Sequence, residues 1–490
     1  MTVKTNQYSE WNKLMINGSW RDGASEKICT VTNPYNDEVL TTFNYANRDD
    51  INEAYEKAEE AQKEWAKISP YEKIALLERA AQIVQDRKEE LVELLVAETG
   101  SSQIKASVEV DCCVADIKLA ATFPLMMGGE IRPSAIPGKE NRVYHNPAGV
   151  VGAITPWNWP MHLSMRVVAP AIATGNGIVL KPDHQTPISG GLVIAQIFEE
   201  AGLPKGILNV TVADLEEIGD QFVEHPIPSI ISFTGSTAAG RHVGSLAVKN
   251  VKKPALELGG NNAFIVLDDA DVDQAVAAAT FGKFFHSGQI CLAINRIIVD
   301  RKLYDSFTEK FIAAAKKVKV GDPFESDTII GPMINRKQVD RALKFVEQSE
   351  REGAKVVHRG SVNGNVMEPI ILTDVTNDMT IAQNEAFAPV ACIIPVDSEE
   401  EAIQVANGSP FGLSGAVFSG SLDRGINVAH QIRTGMIHVN DQSVNVEANV
   451  PFGGEKLSGI GRYCGEWAFE EFTTVKWISV QKEARQFPFS

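Results

Sequence analysis

The sequence is short of every signal that marks a metalloprotein, a disulfide scaffold or a membrane protein. Its 490 residues include six cysteines: Cys29, Cys112, Cys113, Cys291, Cys392 and Cys464. None forms a Cys-x-x-Cys pair, and no Cys/His spacing suits zinc, so no metal is expected. Basic residues are outnumbered, 46 against 63 acidic ones, for a net charge of -17. That argues against nucleic-acid binding, which requires a basic face. A long uncharged run, residues 146–165, is broken by Pro147, Pro156 and Pro160 and does not read as a membrane helix. The first residues, MTVKTNQYSEWN, lack an apolar leader core. A cytoplasmic protein without a nucleic-acid or membrane partner is expected. Linkers of low complexity and repeats of fixed period are missing too.

What is present is the balance of a soluble globular chain, 44% hydrophobic and 22% charged. The length allows two or three domains. The 38 glycines and 23 prolines are spread widely and mark turns. After a short β-like start, residues 50–68 and 70–99 carry apolar side chains at helical spacing. From about Asn146 the pattern changes. Short apolar runs at 150–154, 178–180, 207–210 and 229–233 each lead through a Gly or Pro turn into a helical stretch. That alternation predicts a parallel sheet with crossover helices, which binds ligands beyond the carboxyl ends of its strands. A second alternation runs from Asn262 to about Arg462, with strands expected at 263–267 and 297–299 and helices at 271–285 and 335–352. Residues 473–480 alternate β-branched and polar side chains and suit a strand that pairs with another chain.

Four stretches have the make-up of site-building loops. TPWNWPMH (155–162) places Asn158 between two tryptophans at a helix start, where its amide can donate to an oxyanion or cap the helix. FTGSTAAG (233–240) reads as strand, turn and helix. Gly235 and Gly240 allow close backbone approach, so a phosphate or an ordinary tight turn both fit. LELGGNN (256–262) sets Glu257 among leucines, as a base whose pKa burial raises or as a satisfied glutamate at a sheet end. FFHSGQICLAIN (284–295) puts Cys291 after Gly288 and Gln289. Gly288 gives room, Gln289 can tie down a loop, and N–H groups at the start of the next element can lower a thiol pKa. The alternative is a buried apolar cysteine.

With EAFAP (385–389) and PFGGEKLSGIGR (451–462), these motifs resemble the aldehyde dehydrogenase superfamily in order and spacing over nearly the whole chain. The resemblance implies oxidation of an aldehyde to the acid with a nicotinamide dinucleotide. Cys291 is then the nucleophile, Asn158 the oxyanion donor and Glu257 the base that hydrolyses a thioester. Gly235 and Ser236 lie on the pyrophosphate and Lys181 on the adenosine ribose. Glu385 takes the nicotinamide ribose with Phe387 nearby, and Ile154 and Trp157 complete the cofactor side. The implied fold is α/β: a Rossmann-like cofactor domain (1–126 and 147–257), a second α/β catalytic domain (258–460) and a small β-arm (127–146 and 461–490). The arm joins subunits into a homodimer or homotetramer.

Several positions depart from the common family pattern. His184 stands where many members carry a Glu that repels a 2′-phosphate, so NADP is expected to be accepted alongside NAD. Val167 and Tyr463 replace a Lys and a Glu often given a proton-relay role. Trp159, His162, Arg166, Ile290 and Phe452, with His286, are expected to line the substrate tunnel. That pattern is similar to members acting on aromatic aldehydes such as benzaldehyde or vanillin. Arg166 is also similar to the arginine of semialdehyde dehydrogenases that grips a substrate carboxylate, and a structural ion pair is equally open to it. A CoA-acylating relative would usually lack Glu257. A plain thiol hydrolase would not need Lys181, Gly235 or Glu385.

Overall fold

Five parallel strands form the centre of the first sheet, in the order Leu208–Val210, Gly177–Lys181, Val150–Ile154, Ile230–Thr234 and Lys253–Glu257. Three of them are near-continuously buried and mostly apolar, as strands covered by helices on both faces must be. Leu14–Ile16 pairs antiparallel at one side of this core and Gly459–Ile460 at the other. The computed structural model describes residues 11–489. Residues 1–10 and 490, which hold most of the stretch read for a leader and the outer ends of the first and last assigned segments, lie outside the described residues.

The chain steps outward from Val150–Ile154 through Gly177–Lys181 to Leu208–Val210, then returns on the other side at Ile230–Thr234. Such a reversal opens a crevice beyond the carboxyl ends of the two strands that flank it. Register does the rest. Ile154 pairs with Lys181 and with Phe233, and Thr234 pairs with Glu257. Lys181, Ile154, Thr234 and Glu257 therefore stand along one edge.

The uncharged run that is too broken for a membrane ends in the first turns of the central helix, Pro160–Ala173, all 14 residues of which are buried. Pro160 suits its first turn because its fixed φ is already helical and its missing N–H is not needed there. Among the described residues no helix is long and apolar enough to cross a membrane. The expected helix at 50–68 is Arg48–Trp65, opened by a capping box between Asn47 and Asp50. The periodic run 70–99 is two helices, Pro70–Asp86 and Lys88–Thr99, not one. Arg87 breaks it with φ -96° and ψ 13°, and its guanidinium holds Glu90, Gln196 and Glu200. Apolar periodicity continues across that break because both helices face the same core.

The second sheet has seven strands, all in parallel pairs except the edge pair Lys355–Arg359 and Ile370–Thr373. At its centre lie Asn262–Val266 and Ile294–Asp300. Helices Val272–Phe284 and Arg336–Arg351 stand where they were expected. The third sheet is a separate antiparallel unit of Glu130–Arg132, Lys139–Pro147 and Thr473–Gln481, paired from Thr473 opposite Pro147 to Gln481 opposite Lys139. The last strand thus pairs with a hairpin of its own chain. Residues 461–472 do not travel with that unit. Tyr463, Phe469 and Phe472 are buried in the first core, and the Tyr463 hydroxyl reaches Ser232 Oγ at 2.7 Å and the Ala255 carbonyl at 3.1 Å.

Candidate active site

The carboxyl edge of the first sheet and the amino ends of two strands of the second meet at Cys291. Asn262 opens one of those strands, and its Nδ2 donates to the carbonyls of Cys291 at 2.7 Å and Ala293 at 2.8 Å. The LELGGNN stretch thus carries Glu257 at its start and braces the cysteine turn at its end. On the other side of Cys291 the chain passes through three left-handed residues, His286, Ser287 and Gly288, with φ of 51°, 58° and 70°. Two of these are not glycine, a strained arrangement that neighbouring bonds must hold. Ser287 Oγ donates to the Gly331 carbonyl at 2.9 Å, and Gln289 Oε1 accepts from the Ile334 amide at 2.9 Å. Gln289 does tie down a loop.

Cys291 sits in a turn ahead of Ile294–Asp300, so no helix start acts on its thiol. The expectation of a lowered pKa is overturned. Burial pushes the thiol up to about 12, the charges of Glu257 and Glu385 push the same way, and Arg166 opposes them.

Two cavities meet there. One, of about 300 Å³, is walled by Trp159, His162, Arg166, Phe285, Ile290 and Phe452. The other, of about 140 Å³, is walled by Trp157, Gly235, Ser236, Glu257, Glu385 and Phe387. Asn158, Leu163 and Cys291 belong to both. These tunnel and cofactor residues, all expected from sequence, therefore fall on opposite sides of one throat. Of the expected tunnel residues, His286 is the exception: it is buried without lining the larger cavity, and burial with the nearby Lys105 charge drives its pKa well down.

Asn158 does not cap its helix. Trp159 occupies the N-cap without a side-chain bond, and Asn158 Nδ2 donates instead to the Gln289 carbonyl at 2.9 Å. An amide nitrogen has two hydrogens, so one remains for a ligand. Glu257 is 2% exposed and its Oε1 has no hydrogen-bond partner, so it is not the satisfied sheet-end glutamate. Burial raises its carboxyl to about 7, with Arg166 and Arg462 pulling the other way.

Arg166 is 1% exposed and lies between the rings of Phe452 and Tyr463, 4.3 and 4.8 Å from their centroids. Nε, Nη1 and Nη2 all lack a hydrogen-bond partner among the described residues, and no structural carboxylate pairs with it there. Val167 and Tyr463 are fully buried and, being uncharged, supply neither of the charged relay groups. His162 Nε2 lies 3.1 Å from Asp116 Oδ2.

On the cofactor side the Gly260 amide donates to Glu385 Oε1 at 2.9 Å. A Cβ at Gly259 would come within 2.5 Å of Glu385 Oε2, so only glycine admits the carboxylate there. Burial lifts the Glu385 carboxyl to about 7. Trp157 and Phe387 meet edge to face, 5.5 Å apart. Ser236 caps helix Thr237–Lys249. Gly240 has another task than the one expected: a Cβ there would strike Leu258 Cδ2 at 2.1 Å, so it lets helix and strand pack. Ile154, Lys181 and His184 lie outside the 140 Å³ cavity. Lys181 is buried on the sheet edge, and burial lowers its pKa against the pull of Asp183 and Asp214. The His184 side chain is 58% exposed, with Nδ1 3.6 Å from Asp183. A sheet edge at a topological reversal, a glycine turn and a carboxylate admitted by a glycine fit a dinucleotide.

Helix Gln103–Ala120 also reaches the site, and sequence reading missed it. Lys105, Glu109 and Asp116 lie on its buried face, and Cys112 lines the larger cavity. Charged residues recurring at helical spacing on an apolar face were the available signal.

The chain belongs to the aldehyde dehydrogenase family, whose sequence profile matches residues 20–478. It is an NAD(P)-dependent aldehyde dehydrogenase. A benzaldehyde dehydrogenase of Bacillus subtilis is 53% identical over 483 residues, 99% of this chain and 100% of that one. A vanillin dehydrogenase of Corynebacterium glutamicum is 47% identical over 472 residues, 96% of this chain and 98% of that one. The crystal structure of an NAD-dependent benzaldehyde dehydrogenase from Corynebacterium glutamicum superposes with a TM-score of 0.89 at 44% identity, covering 98% of each chain.

Proposed function

We propose that the chain oxidises an aromatic aldehyde to its carboxylic acid at Cys291. The observation that carries this is the throat: one thiol, with the Asn158 amide beside it, opens both to an aromatic-walled cavity and to the cofactor cavity. The Cys291 sulfur attacks the aldehyde carbon, and its proton leaves to Glu257 or water. The resulting oxyanion is held by Asn158 Nδ2 and the Cys291 N–H. A bound nicotinamide dinucleotide, held by Lys181, Gly235, Ser236 and Glu385, supplies the hydride acceptor. Collapse of the oxyanion with loss of hydride leaves a thioester on Cys291. Glu257 removes a proton from water as it attacks, and the acid departs as the thiolate is restored.

The aromatic walls of Trp159, Phe285 and Phe452 favour a ring substrate, as do the benzaldehyde and vanillin dehydrogenases it resembles. The unpaired Arg166 guanidinium favours a second reading, a semialdehyde whose carboxylate it would meet. Turnover of benzaldehyde, vanillin, a long aliphatic aldehyde and succinic semialdehyde decides between them. Reaction with the semialdehyde alone ends the aromatic reading, and a requirement for added CoA ends the hydrolytic one.

Arg166→Met removes a cation close to Glu257. A carboxylate that loses a nearby positive charge holds its proton more tightly, so the rising limb of kcat against pH moves to higher pH. A limb that stays in place shows that Arg166 does not act on Glu257.

For the cofactor we propose that both NAD and NADP serve. His184 leaves the adenosine-ribose side without a repelling glutamate. His184→Glu should lower kcat/KM for NADP about tenfold and spare NAD. Strong exclusion of NADP by the parent protein defeats this reading. We also propose a cytoplasmic location, the domain division given above apart from residues 461–472, and association into dimers or tetramers through the three-stranded sheet. Its Ile131, Val475 and Trp477 are exposed.

A further inference from the structure

Lys105 and Glu109 form an ion pair with Nζ 2.5 Å from Oε2 and both side chains 0% exposed. Burying two charges is a poor way to stabilise a fold, because desolvation commonly cancels the attraction. The remaining contacts of the pair show what it holds instead. Lys105 Nζ donates to the Asn158 carbonyl at 2.8 Å and lies 4.8 Å from the centre of the Trp159 ring. Glu109 Oε1 accepts from the amides of Met161 at 2.9 Å and His162 at 3.2 Å. Those N–H groups open helix Pro160–Ala173, which has no side-chain cap of its own.

The count of donors is telling. An ammonium has three hydrogens. Here one meets Glu109, one meets the Asn158 carbonyl and the third faces an aromatic ring. No neutral side chain of that length supplies all three. Asn158 is thus gripped twice, its carbonyl by Lys105 and its side chain by the Gln289 carbonyl, and the helix behind it is anchored by Glu109.

We propose that Lys105 and Glu109 are positioning residues for Asn158, fixing the backbone from which its amide reaches the reacting oxygen and setting the Trp159 wall beside it. Neither touches the substrate. The pair rests on the reading of Asn158 as the oxyanion donor and extends it to a helix that carries none of the reacting groups.

The test is a double-mutant cycle on the full-length protein with benzaldehyde and NAD. Asn158→Ala should lower kcat by about 10²–10³-fold. Lys105→Met should lower it by about 10- to 100-fold, since a displacement near 1 Å carries such losses. NAD affinity, measured by titration calorimetry, should not change. The double variant should be no slower in kcat than Asn158→Ala alone, because the side-chain amide that Lys105 aims at the oxyanion is already gone. A merely structural role would make the two losses multiply, and that result overturns the proposal. So does a folded Lys105→Met enzyme with the parent kcat. If Lys105→Met does not fold, Glu109→Gln takes its place in the cycle. It keeps an acceptor for the two amides and puts an NH2 donor where Lys105 had an acceptor, and the same non-additivity is expected. An Asn158→Ala enzyme with full turnover overturns the oxyanion reading itself and is distinguished by that single variant.

Discussion

Cys291→Ala should abolish aldehyde oxidation and leave cofactor binding intact. Loss of a covalent nucleophile removes the whole path through the thioester, so the expected fall in kcat is on the order of 10⁴-fold or more. The substitution is local. The turn is held through the Cys291 carbonyl by Asn262, and that bond does not involve the side chain. The backbone N–H also stays. Reduced-cofactor formation should vanish while titration calorimetry with NAD reads the parent affinity. Residual turnover above about a hundredth of the parent rate would mean that another group attacks the aldehyde.

Glu257→Gln should separate the two halves of the reaction. The variant keeps shape and volume but cannot accept a proton. Hydride departure does not call on Glu257 as a base, so about one equivalent of reduced cofactor per site should appear in a fast phase. Steady turnover should then fall by about 10²–10⁴-fold, because the thioester waits for unassisted water. The pH profile gives a second check. Burial places the Glu257 carboxyl at about 7, and the base works only when ionised. Parent turnover should therefore rise as pH passes upward through about 7, and the Gln variant should lack that limb. Absence of the fast phase would show that Glu257 is needed before hydride leaves, as the acceptor of the Cys291 proton.

Much of the architecture was readable because its determinants are local. The strands at 150–154 and 229–233 are buried apolar runs closed by turns, and such runs declare themselves without a partner. Cys291, Asn158 and Glu257 stood out because each is a polar residue where apolar ones would pack better. What escaped depends on contacts far apart in sequence. Arg87 breaks a helix because Gln196 and Glu200 hold its side chain. Gly240 answers to Leu258, not to a ligand. The thiol pKa was misjudged for the same reason. Sequence shows the turn before Cys291, but not the two buried carboxylates that face it from distant segments. Lys105 and Glu109 were hidden because charges at helical spacing ordinarily mark a solvated face.

The raised pKa of the Cys291 thiol has a consequence for survival in air. Peroxides and alkylating agents attack the thiolate, and a thiol held up to about 12 presents almost none at neutral pH. The same holds for Cys112, whose thiol on the wall of the larger cavity is also raised to about 12. An idle enzyme thus resists the first step to sulfenic acid at both sulfurs. The thiolate forms chiefly during turnover, when substrate already fills the space an oxidant would need.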